Sequence, residues 1–157
     1  MIRADHTLNI KQGEVSIFFK ETLPLNAANT NYLDECIVVE ILCNNQKGFL
    51  LSLYRSPTQA TDEFENFIKN FELLLDALFN SNPYLILILG DFNAKSNSWC
   101  EDDHDSLEGT KIETVTSSFG LTQLISDPTH ILPSSSSCID LIFINQLNLV
   151  NKSGVYS

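Results

Sequence analysis

Apolar residues recur along this chain with two periods, and the change from one to the other divides it into elements. The stretches "EVSIFF" (14–19), "CIVVEIL" (36–42) and "GFLLSLY" (48–54) read as β-strands. Only "NNQKG" separates the last two, which predicts a hairpin. In "TDEFENFIKNFELLLDALFNSNP" (61–83) the spacing changes. Phe64, Phe67, Ile68, Phe71, Leu74, Leu75 and Leu78 fall on one face of a helix, with Glu65, Lys69, Glu72 and Asp76 on the other. Asp62 and Glu65 have the spacing of a capping box, and Asn82-Pro83 ends the helix.

"YLILIL" (84–89) follows at once and is apolar at every position. Such a strand is expected in the middle of a sheet covered on both faces. A second helix is predicted from about Leu107 to Phe119, with Ile112, Val115 and Phe119 inward. "LTQLI" and "CIDLIFI" read as two more strands, and Ser134 to Ser137 as a flexible loop. Strands partly alternate with helices and partly form hairpins, so the fold class is mixed α/β. No repeat or linker divides the 157 residues, which read as one domain.

Candidate chemistry lies where apolar runs stop. The run in "LILILGDFN" ends at Gly90, which is expected to give a tight turn out of the strand, with Asp91 and Asn93 following. Ligands of open α/β sheets sit outside the carboxyl ends of the strands, where a carboxylate and an amide can be held rigidly. An Asx turn leaving a strand would give the same letters. In "SSCIDLIFI" (136–144), Asp140 lies between Ile139 and Leu141, where a carboxylate is costly unless bonded. Either the preceding Ser-rich loop bonds it, or it orients a histidine. "LYRSP" (53–57) ends a strand on Tyr54 and Arg55, a phenol and a guanidinium suited to phosphate oxygens or simply a surface pair.

Composition narrows the choices. Hydrophobic residues make up 43% of the chain, enough for a core. The net charge of −11, from 20 acidic and 9 basic residues, argues against a general nucleic-acid binder. It leaves room for a metal-dependent enzyme, because a bound cation inverts the local field. Cys36, Cys43, Cys100 and Cys138 form no CxxC pair and read as buried hydrophobes in a reducing compartment. No signal peptide or bilayer-length apolar run is visible, so an intracellular location is expected. His6, His104 and His130 are scattered. The run "EDDHD" lacks EF-hand spacing and reads as a solvated loop, and His130 reads as structural at a turn.

Taken in order, "YRSP", "LGDFNAKSNSW", "GLTQLISDPTHI" and "SSCIDLIF" resemble the exonuclease-endonuclease-phosphatase superfamily, with its DNase I-like α/β sandwich. Within it the set is most similar to the endonuclease domain of non-LTR (LINE-type, jockey-like) retrotransposon polyproteins. The opening "RADHT", followed by "VSIFFKE", fits the same pattern, although Glu14 stands where relatives often have a second Gly.

The resemblance implies a Mg²⁺-dependent phosphodiester endonuclease, with Mn²⁺ as an alternative ion, that nicks DNA for target-primed reverse transcription. Tyr54 would contact the scissile phosphate, Asp91 would orient or deprotonate the attacking water, and Asn93 would hold phosphoryl oxygens. Asp140 would orient a catalytic histidine. Asp91 and Asn93 are the implied metal-side residues. DNA and a reverse transcriptase in the same polyprotein are the implied partners, and the nucleus the implied site of action. The family's N-terminal Asn and Glu motifs and its C-terminal Ser-Asp-His motif have no counterpart here. The chain is therefore expected to be an interior piece of the domain, incomplete at both ends and weakly active or inactive. The alternative is a catalytically dead remnant that binds DNA or protein.

Overall fold

The computed structural model describes residues 2–5, 14–20, 23, 25–28, 31–43, 45–101 and 104–155. Two short strands, β1 (Ile2–Asp5) and β2 (Glu14–Ile17), pair as an antiparallel hairpin. The main sheet is built from β3 (Leu25–Ala28), β4 (Cys36–Cys43), β5 (Gln46–Tyr54), β6 (Leu85–Asp91), β7 (Thr122–Gln123) and β10 (Asp140–Ile144). Its strand order is β3-β4-β5-β6-β10-β7. Only β5 and β6 are parallel, and the helix α1 (Thr61–Phe79) makes the crossover that a parallel pair requires. A second helix, α2 (Leu107–Ser118), follows β6, and a small hairpin of β8 (His130–Leu132) and β9 (Ser135–Ser137) precedes β10. A single 3₁₀ turn, Leu147–Leu149, follows β10.

The predicted β4–β5 hairpin is present, with Cys43 opposite Gln46 and Asn45 at φ +60° in the turn. Asn tolerates this left-handed conformation better than most residues. Helix α1 buries Phe64, Phe67, Phe71, Leu74, Leu75 and Leu78, and leaves Glu65, Lys69, Glu72 and Asp76 in solvent. Its start differs from the expected box. The N-cap is Ala60, and Glu63, not Glu65, turns back to accept the Ala60 backbone N–H at 3.1 Å. Ser106 caps α2 by accepting from Gly109 N at 2.9 Å. Ile112 and Val115 are buried as expected, while Phe119 is the C-cap and packs its ring 5.2 Å from Phe79.

Alternation along the strands sends Leu51, Leu53, Ile86, Ile88, Leu141 and Phe143 to the helical face, where they form the core with α1. The opposite face departs from the expectation of two full covers. There Val15 of β2 packs with Ile37 and Val39 in a small cluster. Leu87, Leu89 and Ile142 stay half-buried, because the β1–β2 hairpin packs over β4 and β5.

Three local expectations also change. "LTQLI" yields only a two-residue strand, because the Gln123 side chain takes both backbone groups of Ile125. The Ser-rich stretch is not a free loop. Ser135–Ser137 pairs with His130–Leu132, which places His130 in a strand and leaves it exposed. Gly90 makes no turn. It lies within β6, where a Cβ would stand 2.1 Å from the Leu53 carbonyl oxygen, so only glycine allows the β5–β6 approach.

Candidate active site

Sheet register assembles the site. Tyr54 is the partner of Asp91 across β5–β6, and Asp91 is the partner of Asp140 across β6–β10. Paired residues share a face, so the three side chains form a row across three strands at one end of the sheet. The strand ends are fastened together there. Arg55 N donates to Asp91 O at 2.9 Å, and Phe92 N to Ile139 O at 2.8 Å. Asn93 lies two residues past the row, at φ +46°.

Asp91 and Asn93 form the Asx turn that the sequence allowed, and it adjoins the end of the row. The Asp91 Oδ1 accepts from the Asn93 backbone N–H at 3.0 Å, and the Asn93 Nδ2 donates to the Arg55 carbonyl at 2.8 Å. Burial pushes the Asp91 carboxyl above its ordinary range, and the negative charge of Asp140 pushes the same way. Backbone and side-chain bonds from Asn93, with the Arg55 charge, hold it down. Burial also raises the Tyr54 phenol, helped by Asp91 and Glu35. The tyrosine therefore stays a neutral donor at physiological pH.

Asp91 and Asp140 line an open cleft of about 350 Å³ on the less covered face, with Ser52, Leu89, Thr129 and Ile142. Asp140 is exposed, and its strand start is pinned by Thr129, whose hydroxyl accepts the backbone N–H groups of Ile139 and Asp140. Neither expected partner for the Asp140 side chain is among the described residues lining this cleft: no histidine and no serine of the 134–137 stretch. His6 lies outside the described residues, as do Asp102 and Asp103 of the acidic run. His104 and Asp105 of that run are exposed. Tyr54 lines a second, polar cleft of about 510 Å³ with Glu35, Ser56, Gln59 and Asn66.

Two residues were misjudged or missed. Arg55 is no surface residue. Only 3% of it is exposed, and its Nε donates to Phe92 O at 2.6 Å and its Nη2 to Asn93 O at 2.5 Å. Glu35 extends the row on the other side of Tyr54, since Tyr54 N donates to Glu35 O at 3.0 Å. The available signal was an acidic residue directly before the apolar run of β4.

A divalent ion suits this donor set. Asp91 and Asp140 are hard oxygen donors whose like charges oppose each other, and Mg²⁺ commonly takes one or two carboxylates and keeps several waters. Because the Asn93 amide nitrogen is committed to Arg55 and Asp91, its oxygen is the end available to a cation. Among the described residues there is no group of three or more His, Cys, Asp or Glu placed to hold a metal. The thiols of Cys36, Cys100 and Cys138 are buried, and burial pushes the Cys36 thiol up to about 12. None of the described helices is long and apolar enough to cross a membrane.

Comparison with known proteins agrees with this architecture. A sequence profile described as "Endonuclease-reverse transcriptase" matches residues 49–156. No curated protein sequence matches the chain. Among solved structures, the endonuclease domain of TRAS1, a telomere-specific non-LTR retrotransposon, is similar at 21% identity and a TM-score of 0.62. That match covers 80% of this chain and 57% of the other. A β-hairpin deletion mutant of beta toxin from Staphylococcus aureus aligns at 12% identity and a TM-score of 0.51, over 79% and 49% of the two chains. A further beta toxin mutant, with bound magnesium ions, aligns at 9% and 0.50, over 72% and 43%. The chain thus spans roughly half the length of the structures it resembles. The profile match, with the mixed six-stranded sheet and its two helices, places the chain in the endonuclease-reverse transcriptase family of the endonuclease/exonuclease/phosphatase (DNase I-like) superfamily.

Proposed function

We propose that this chain carries the nucleophile-side half of a metal-dependent DNA endonuclease centre, working within a retrotransposon polyprotein that also holds a reverse transcriptase and acting on DNA in the nucleus. The observation that carries this reading is the Tyr54–Asp91–Asp140 register row with Asn93 at its end. Phosphodiester hydrolysis needs an aimed water, donors on the phosphoryl oxygens and stabilisation of the leaving oxygen. Asp91 is rigidly placed and has a raised affinity for protons, which suits a group that orients and deprotonates water. Tyr54 remains a phenol and offers its O–H to the scissile phosphate. Asn93 offers its amide oxygen, with Asp91, to the cation side of the site. Asp140 orients a general acid–base group such as a histidine. Mg²⁺, or Mn²⁺ in its place, supplies charge neutralisation when bound.

Two measurements test the reading. Supercoiled plasmid should be nicked slowly in Mg²⁺, and Asp91→Ala and Tyr54→Phe should each lower that slow rate by about 10²-fold or more. In addition, Mn²⁺ should broaden NMR signals of Asp91 and Asn93 before those of α1. Nicking indifferent to Asp91→Ala, or broadening centred elsewhere, would refute the assignment.

A further inference from the structure

We propose that Arg55 is a positioning residue for the Asp91–Asn93 turn: its buried guanidinium clamps the turn from the inside and does not meet phosphate. This rests on the reading of the site given above. The three guanidinium nitrogens are all engaged within the protein. Nε donates to Phe92 O at 2.6 Å, Nη2 to Asn93 O at 2.5 Å, and Nη1 to Ser56 O at 3.1 Å and Gln59 Oε1 at 3.4 Å. The fork lies over the Phe64 ring of α1, 5.3 Å from its centroid.

The backbone of Arg55 closes the clamp from the other side. Its N–H donates to Asp91 O and its carbonyl accepts from Asn93 Nδ2. Residues 91, 92 and 93 are thus each tied to Arg55 through a different group. Asn93 needs such support, because φ +46° is a left-handed conformation that non-glycine residues adopt at a cost. Arginine is suited to the task, since a planar fork satisfies two adjacent carbonyls while stacking on an aromatic ring, and a lysine ammonium cannot. The clamp also links the turn to the Ser56–Ala60 segment that opens α1, so the Tyr54 and Asp91 sides of the site are held in one geometry.

The first experiment uses the intact chain. The Arg55 Nε–H NMR signal should exchange slowly with solvent and stay in place when inorganic phosphate or a short DNA duplex is added. Movement of that signal with phosphate would make Arg55 a ligand and overturn the proposal. The second is Arg55→Lys, in which exchange of the Asn93 amide should quicken at least ~10-fold more than that of Phe71 in α1. Nicking kcat should fall by ~10²-fold with KM nearly unchanged, as a misplaced reacting group would cause. Equal quickening at both amides, with kcat of the folded fraction unchanged, would leave Arg55 a purely structural residue and overturn the proposal.

Because Arg55→Lys can weaken the fold, a double-mutant cycle on the unfolding midpoint provides a further check. Arg55→Lys should cost less in an Asn93→Gly background, where the left-handed conformation is free; additive costs would overturn the clamp. The cycle, the exchange and the phosphate titration need no turnover. A chain that fails to nick DNA would therefore sink the proposed function and leave the clamp to be decided separately.

Discussion

Asp91 carries an internal conflict. The carboxylate is half-buried beside Asp140, and both features make its ionised form less favourable than in the unfolded chain. The folded state therefore holds the proton more tightly than the unfolded one. By linkage, that contribution to stability is fully present below the ordinary value of 3.8 and is lost as pH rises through the higher folded value. Above that window the charged side chain weakens the fold. Asp91→Asn keeps an oxygen for the Asn93 N–H and removes the charge. In metal-free buffer at pH 7 it should raise Tm above that of the parent while abolishing nicking. A lower Tm would mean that the hydrogen bonds to the carboxylate outweigh its burial. Such opposition between stability and activity is expected where a group is placed for chemistry. Two neighbouring positions follow other demands. Gly90 answers to the Leu53 carbonyl, and Arg55 to the carbonyls of residues 92 and 93.

Helix α1 is the element that shapes the site from below, because it completes the β5-to-β6 crossover and so sets the parallel register of Tyr54 with Asp91. Its buried stripe is centred on Phe71, which is fully buried and lies between the Phe67 and Phe92 rings, at 5.8 and 6.2 Å. Phe71→Ala should cost about 3–5 kcal/mol, read as a lower urea midpoint. A midpoint equal to the parent's would refute the packing. The stripe was legible in the sequence because a 3.6-residue period is a local property that burial of one face imposes. The cap was not. Residues 62 and 65 and residues 60 and 63 share one spacing, and the position of the first turn depends on how the chain leaves Pro57. Strand ends were likewise blurred where side chains compete with the ladder, as Gln123 does at Ile125. The Ser-rich stretch misled for a related reason: its pairing partner lies outside it, at His130–Leu132.

At the scale of the whole molecule, a chain of net charge −11 repels DNA, and the row concentrates Asp91 and Asp140 beside the nearby Glu35. Binding to a phosphate backbone at this site should therefore depend on a divalent cation. A fluorescent duplex followed by anisotropy should bind at least about 10-fold more tightly in Mg²⁺ than in EDTA, a difference of about 1.4 kcal/mol or more, and Asp91→Ala should remove the difference. Equal affinity in the two buffers would argue for a recognition surface elsewhere.

The sequence by itself determined the strands β2, β4, β5, β6 and β10, the helices α1 and α2, their order, the mixed α/β class, and that Asp91, Asn93 and Asp140 stand at the ends of apolar runs. These features follow from side-chain periodicity and from the cost of placing a carboxylate beside a core, both of which act within a few residues. Only the tertiary structure decided that Tyr54, Asp91 and Asp140 fall in one register row, that Arg55 turns inward, and that one face of the sheet is less covered than the apolar run of β6 suggested. Register and cover are set by pairing between strands distant in sequence, and a slip of one residue would turn each of those side chains to the opposite face without altering a single local pattern.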